Sequence, residues 1–207
     1  MSNAVILING FPGVGKSSVA RELMALLPHS TLLEAQALDL AANAAHEVTS
    51  RSNAELRKRL RETILRSLAP VGTGVGAQSR IMVITDTLLS SPPTSAFLQS
   101  YLACCRSNGI ILIHIILSCD SSTNVSRLGS GSKIDEDTLV AMRMEEEIGQ
   151  YLSLQDKVRG GSMPGLSGEM ELDNSNLGAK DTAARVGEYC IDLLKRQGWS
   201  LQPAKRV

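Results

Sequence analysis

An α/β domain, with a parallel sheet covered by helices on both faces, follows from three observations. Short apolar runs that end in a polar residue alternate with helical stretches along most of the chain. The apolar runs are nearly continuous rather than alternating, which is the pattern of strands buried on both faces. The first run also feeds a glycine-rich segment, Gly10-Phe11-Pro12-Gly13-Val14-Gly15-Lys16-Ser17, that opens directly on a helix.

Val5 to Asn9 is an apolar run ended by glycine and reads as a buried strand. Ser17 to Leu27 is a helix stopped by Pro28. Thr31 to Leu33 is a second, weaker strand, and Leu38 to Val48 is helical. Ser52 to Leu68 is a helix with Leu56, Leu60 and Ile64 repeating every fourth residue, a capping box of Ser52 with Glu55, and a Glu62–Arg66 pair one turn apart. Val71 to Gly76 is a linker rather than a second phosphate cradle, since no Lys-Ser or Lys-Thr follows it and no strand precedes it. Ile81 to Thr85 is the third strand, Thr94 to Ser107 a helix, and Ile110 to Leu117 a central strand. Asp120 to Leu128 is a short helix, Asp135 to Leu152 a long one, and Gly160 to Gly168 a glycine-rich loop. Glu169 to Asp173 is the last strand, and Ala179 to Arg196 is the closing helix, ended near Gly198.

The chain has 207 residues, a length that suits one domain. Apolar residues make up 43% and charged residues 20%, normal for a globular protein, while aromatics are only 3%, so the core is aliphatic. The formal net charge is +0, from 21 basic and 21 acidic residues, which supplies no global attraction to nucleic acid or to an anionic membrane. Cys104, Cys105, Cys119 and Cys190 lack metal-ligand spacing and read as buried free thiols of a reducing compartment, so a cytoplasmic protein is expected. Met1-Ser2-Asn3-Ala4 has no basic region and is not expected to be a secretory signal. The longest apolar run is interrupted by His114 and is too short to span a membrane.

Ligands of parallel sheets lie beyond the carboxyl ends of the strands, so Asn9-Gly10, Glu34, Asp86, Asp120 and Asp173 mark the functional end. The segment from Gly10 to Ser17 has the spacing of the P-loop, with strand before and helix after. Gly10, Pro12, Gly13, Val14 and Gly15 form a loop whose N–H groups turn inward on phosphate, and the helix behind it adds the positive end of its dipole. Lys16 supplies a positive charge for the β- and γ-phosphates, Ser17 a hydroxyl ligand for Mg²⁺, and Ser18 a contact to the α-phosphate. Asp86, at the end of the third strand, reads as the acid that holds a Mg²⁺-bound water; the plain alternative is a strand-end cap. No Asn-Lys-x-Asp guanine-reading segment is present, which argues against a GTPase switch, and the chain is short for a motor ATPase.

The segments Leu7 to Leu23, Ile84-Thr85-Asp86, Leu117-Ser118-Cys119-Asp120 with Asn124 and Arg127-Leu128, and Leu172 to Ser175 together resemble small P-loop kinases. The nearest types are the chloramphenicol-phosphotransferase-like and gluconate- or shikimate-kinase-like proteins, with fungal AAA-type P-loop kinases among them. The resemblance implies a single three-layer αβα sandwich over residues 1–207, with a parallel five-stranded sheet of order 2-3-1-4-5 and a lid region around 121–165. It also implies ATP with Mg²⁺, and transfer of the γ-phosphoryl to a hydroxyl of a small molecule.

In that pattern a carboxylate after the second strand takes the proton of the acceptor, and here Glu34 and Asp39 are both candidates. Arg127 stands where the lid begins, placed to stabilise charge on the migrating phosphoryl. Relatives commonly carry a further arginine in the loop that follows, where this chain has Gly129-Ser130-Gly131-Ser132; Lys133 and Arg143 lie beyond it. Asp173 and Asn174 fall where the resemblance places the adenine pocket. Arg57 and Arg61, one turn apart, read as a solvated helix face with an anionic acceptor as the alternative, and His114 as a satisfied core histidine.

The expected activity is therefore ATP-dependent phosphotransfer to a small-molecule alcohol by a monomer or homodimer, with no nucleic acid and no membrane involved. A nucleotide-binding protein without efficient transfer is the alternative that the altered lid suggests. A nucleoside or nucleotide kinase is a further one.

Overall fold

A computed structural model describes residues 3–69, 79–89, 94–129, 159–161 and 163–199. In it five strands, β1 (Ala4–Asn9), β2 (Ser30–Glu34), β3 (Ile81–Asp86), β4 (Ile111–Ser118) and β5 (Leu166–Asp173), form one sheet. Every pairing is parallel and the order is β2-β3-β1-β4-β5. Among the described residues six helices accompany them: α1 (Lys16–Leu26), α2 (Gln36–Ala45), α3 (Arg51–Ser67), α4 (Thr94–Ser107), α5 (Ser121–Gly129) and α6 (Ala179–Arg196). The linker at Val71 to Gly76, the helix over Asp135 to Leu152, and Lys133 and Arg143 lie outside the described residues.

Every residue of β1 is buried, because this strand is central and both of its faces are covered. Ile6 and Ile8 face a core built with Val19 and Leu23 of α1 and Val186, Cys190 and Leu194 of α6. Val5 and Leu7 face the other core, built with Leu65 of α3 and Phe97, Leu98 and Tyr101 of α4. Aliphatic burial of this kind, at about 25 cal/mol per Å² of apolar surface, is the main stabilising term. It also sets the register, in which Asn9 lies opposite Asp86 on one side and Ile116 on the other. The ends of β1, β3 and β4 are thereby brought together.

The start of α3, the start of β5 and the setting of His114 differ from the sequence expectation. The cap of α3 is Ser50, whose side chain accepts from the Asn53 N–H; Ser52 lies inside the helix, and Glu55 pairs with Arg59 instead of closing a capping box. Strand β5 begins at Leu166, inside the stretch expected to be a loop. Gly168 is a strand residue there because α6 packs too close for a side chain: a Cβ would lie 2.3 Å from Leu193 and 2.8 Å from the Tyr189 hydroxyl. His114 is fully buried and only half satisfied. Its Nδ1 lies 2.8 Å from Glu169 Oε2 and its Nε2 has no partner. Burial lowers its pKa, against the opposing pull of Glu169. Cys104, Cys105 and Cys190 are buried free thiols as expected, whereas Cys119 is half-buried. No helix among the described residues is long and apolar enough to cross a membrane.

Candidate active site

The glycine-rich segment is a compact loop between β1 and α1. Gly13 and Gly15 adopt φ of +81° and +95°, a region that L side chains rarely enter, and Gly15 is the residue on which α1 starts. Gly10 has a different constraint: a Cβ there would meet the Leu117 carbonyl at 2.8 Å and Val14 at 2.8 Å. The loop is held by donors to its carbonyls and by one bond of its own, from the Val14 N–H to the Phe11 carbonyl at 3.3 Å. Lys16 Nζ donates to the carbonyls of Gly10 (2.8 Å) and Phe11 (2.9 Å). Asn124 of α5 donates to the Pro12 carbonyl at 2.8 Å. The Val14 carbonyl accepts from Asn174 Nδ2 at 2.9 Å and from Arg127 at 3.1 Å.

Side chains from α1, α5 and the β5–α6 turn thus fix the shape of the loop. Burial brings the Lys16 pKa down to about 8, with Asp86 opposing the shift. Ser17 sits half-buried in the first turn of α1 and Ser18 is exposed beside it. A glycine-rich loop, a lysine and a hydroxyl at a helix N-terminus are the groups that a triphosphate with Mg²⁺ calls for, so the residues present fit both.

The brace behind the loop comes from the β5–α6 turn and from α5. Asn174 is 1% exposed, its N–H donates to the Ser118 carbonyl, and its side chain links Val14 to Arg127. Arg127 donates to the Asn174 side chain (3.0 Å), the Asn174 carbonyl (3.0 Å) and the Leu177 carbonyl (3.3 Å) as well as to Val14. Asp173 accepts from the N–H (2.8 Å) and the hydroxyl (2.6 Å) of Ser175, closing a turn. Asp120 caps α5 by accepting from Ser122 and Thr123, and these bonds hold its carboxyl well below the usual range.

A second cluster lies on the other side of the loop. Asn9 pins the segment after β3 by exchanging two hydrogen bonds with the Leu88 backbone. Asp86, just before that segment, is bound by Arg61 of α3 through Nε (2.9 Å) and Nη2 (3.1 Å), by the Tyr101 hydroxyl (3.0 Å) and by the Thr87 N–H (2.9 Å). Arg61 also reaches Asp39 of α2 at 2.9 Å, and Arg57 takes both oxygens of Asp39 at 2.6 and 2.7 Å. The Phe97 ring lies 4.7 Å from Arg61 and 5.5 Å from Arg57, a cation–π arrangement. Burial pushes the Asp39 carboxyl up, but bonds from Arg57 and Arg61 outweigh it and leave it below its ordinary value. Burial opposes the Arg61 charge, and Asp86 more than restores it. The Tyr101 hydroxyl is pushed well up by burial and then by Asp86.

The structure therefore gathers Gly10, Pro12, Gly13, Val14, Gly15, Lys16 and Ser17 into one loop, backed by Asn174 and Arg127, and joins Asp39 to Asp86 through Arg61. Glu34 stands apart, paired with Arg21 of α1 on the surface at 2.9 Å. Arg61 corrects the solvated-face reading, since its side chain is only 2% exposed, while that of Arg57 is 23% exposed. Their i, i+4 spacing shows a shared face and says nothing of what covers it; α2, β3 and α4 do. Tyr101 and Phe97 carry no signal of a polar role, because a lone aromatic in an amphipathic helix reads as core. Asn124 was visible only as part of the family-like segment.

No known protein family and no curated protein matches the chain in sequence. Solved structures match it over nearly its full length. The tunicamycin resistance protein of Deinococcus radiodurans aligns with 97% of this chain and 99% of its own, at 17% identity and a TM-score of 0.54. The APS kinase of Mycobacterium tuberculosis, in complex with AMPPNP and APS, covers 94% of this chain and 98% of its own at 16% identity and 0.55. A gluconokinase from Sinorhizobium meliloti covers 91% and 96% at 14% identity and 0.53. At such identities the likeness is one of architecture: this chain has the P-loop α/β fold that small-molecule and nucleotide kinases share.

Proposed function

We propose that the protein is an ATP-dependent phosphotransferase that moves the γ-phosphoryl of ATP to a hydroxyl of a small molecule, acting in the cytoplasm. The observation that carries this reading is the braced loop from Gly10 to Ser17 with a charged cluster, Asp39–Arg61–Asp86, beside it. A solved protein of the same fold holds AMPPNP together with a second small molecule, which supports a two-substrate reading of this architecture.

In this reading the triphosphate lies along the loop. Lys16, whose tail now bonds to its own loop, turns onto the β- and γ-phosphates, exchanging two neutral carbonyls for anionic oxygens. Ser17 would hold Mg²⁺, which when bound screens phosphate charge and draws electrons from the transferring group. Asp39 orients the acceptor hydroxyl and takes its proton as the new O–P bond forms; the bond from Pγ to the ADP oxygen breaks, and ADP leaves. Asp39 suits this role better than Glu34 because two arginines fix its oxygens and Arg61 ties it to the P-loop side of the sheet. Its depressed pKa keeps it a carboxylate across the neutral range, and a loose phosphoryl-transfer transition state asks mainly for orientation. Asp173 and Asn174 would lie at the base end of the nucleotide, with Asn174 also bracing the loop at Val14.

A second reading, nucleotide binding without efficient transfer, is favoured by one observation. Arg127 donates to Val14, Asn174 and Leu177, so stabilising the migrating phosphoryl requires it to leave these acceptors. A coupled ADP-release assay across sugars, polyols, hydroxylated acids and nucleosides separates the two. Acceptor-dependent ADP release supports the transferase. ATP binding with only slow, acceptor-independent hydrolysis selects the binding protein, and a strict nucleoside preference would narrow the acceptor class.

A further inference from the structure

Four donors converge on the carboxylate of Asp86. Oδ1 accepts from Arg61 Nη2 and from the Thr87 N–H; Oδ2 accepts from Arg61 Nε and from the Tyr101 hydroxyl. A carboxylate offers about four lone-pair positions, and here all are filled. The site is closed as well as full: the side chains of Asp86 and Arg61 are 4% and 2% exposed, with the Phe97 ring against the guanidinium. Sequence position alone had offered Asp86 as the acid that holds a water on the metal. That role needs an oxygen able to accept from a further molecule at the mouth of the loop. Freeing one would strip a hydrogen bond from Arg61 or Tyr101 in a buried site, where an unpaired polar group is costly.

We propose that Asp86 anchors Arg61 and does not hold metal-bound water, and that Arg61 is a positioning residue for Asp39. The geometry divides the guanidinium between two jobs. Its Nε and Nη2 edge is spent on Asp86 of β3, at the end of the strand paired with β1. Its Nη1 reaches Asp39 on α2 and the Arg57 carbonyl one turn back on α3. Three elements are thus locked through one buried side chain, and the partly exposed Asp39 is set relative to the strand that carries the phosphate loop. Ser17 would then be the residue that holds Mg²⁺, without a carboxylate from β3.

The inference rests on the nucleotide reading above, and its test separates the two. AMPPNP binding is measured by calorimetry as Mg²⁺ is raised, for the natural chain, Ser17→Ala and Asp86→Asn. Removing a residue that holds metal-bound water costs about 10–100-fold in metal affinity. The Mg²⁺ needed for half-maximal binding is expected to rise by about tenfold or more in Ser17→Ala and by less than about threefold in Asp86→Asn. A larger rise in Asp86→Asn overturns the proposal while leaving nucleotide binding intact. Failure of AMPPNP to bind the natural chain overturns the nucleotide reading and this inference with it. Because Asp86→Asn can unfold the protein, the natural chain gives a second readout. The Arg61 Nε–H resonance is expected to stay protected from exchange when AMPPNP and Mg²⁺ are added, and loss of that protection on adding Mg²⁺ contradicts an anchored Asp86. For the positioning role, Arg61→Lys retains a charge but is too compact to bridge both carboxylates. The Asp39 carboxyl resonance is expected to titrate at higher pH in that variant, whereas an unchanged midpoint shows that Arg61 does not set Asp39.

Discussion

The two sides of the candidate site are built by opposite strategies. On the side proposed for phosphate the backbone would be the working part, and side chains bind its carbonyls: Asn124 on Pro12, Asn174 and Arg127 on Val14, and Lys16 on Gly10 and Phe11. On the side proposed for the acceptor the side chains would be the working part, and they hold one another: Arg57 and Arg61 on Asp39, with Arg61 and Tyr101 on Asp86. In the proposed function the first arrangement would serve one kind of ligand, a polyphosphate. The second balances two guanidinium groups with two carboxylates, so its value lies in geometry rather than net field.

This contrast predicts different failures. On the acceptor side, Arg61→Ala strands a buried carboxylate, and chemical denaturation should show a loss of about 3–5 kcal/mol in stability. A loss below about 1 kcal/mol would mean that Asp86 is solvated after all. On the phosphate side, Lys16→Ala should leave the fold in place but weaken ATP binding by about a hundredfold, close to 2.7 kcal/mol, and abolish the shift in melting temperature that ATP causes. Asn174→Ala removes the side chain that joins Val14 to Arg127. It should weaken nucleotide binding by about 1–2 kcal/mol and speed amide exchange at residues 13–15, since the loop would have to be ordered by its ligand.

A smaller effect comes from pH. Lys16 titrates near 8 in the free protein because burial disfavours its charge, and a bound triphosphate favours that charge. Above about pH 8 the free protein has lost this proton and binding must take it up, so affinity should fall with rising pH by at most tenfold per unit. Calorimetry at pH 8.5 in buffers of different ionisation enthalpy should show proton uptake; none would mean that Lys16 does not engage the phosphates. In the free fold the sign is reversed: between about 8 and the ordinary lysine value of 10.5 the unfolded chain binds more protons, so this residue's contribution makes the fold more stable as pH rises. The smallest effect is expected at Glu34, whose exposed pair with Arg21 is worth under about 1 kcal/mol. Glu34→Gln should change turnover by less than about twofold where Asp39→Asn abolishes it; the reverse pattern would move the base to the end of β2.

The same contrast explains what could be read from the sequence. The phosphate loop is contiguous, and each of its residue types answers a local demand: glycine for positive φ, lysine for charge, serine at the helix start. The sheet was legible for a related reason, since five apolar runs with helical stretches between them leave few ways to cover both faces, and the family-like order of segments supplied the strand order. The acceptor cluster was not legible, because its members come from α2, α3, β3 and α4, and only packing brings Arg61 to Asp86. Two arginines one turn apart look alike on a wet face and on a buried one. The start of β5 was hidden by the glycines before it and by its own Gly168, which is there to admit Leu193 and Tyr189 and not to break the strand.

The most direct test follows the γ-phosphoryl itself. ATP labelled at the γ-phosphorus is incubated with the protein, Mg²⁺ and a pool of small hydroxylated metabolites, and the label is partitioned between inorganic phosphate and phosphate esters. The account predicts label in an ester, absent when Lys16 is replaced by Ala and when the pool is withheld. Label found only in inorganic phosphate, at a rate indifferent to the pool, would contradict it and leave a nucleotide-binding protein with a transferase fold.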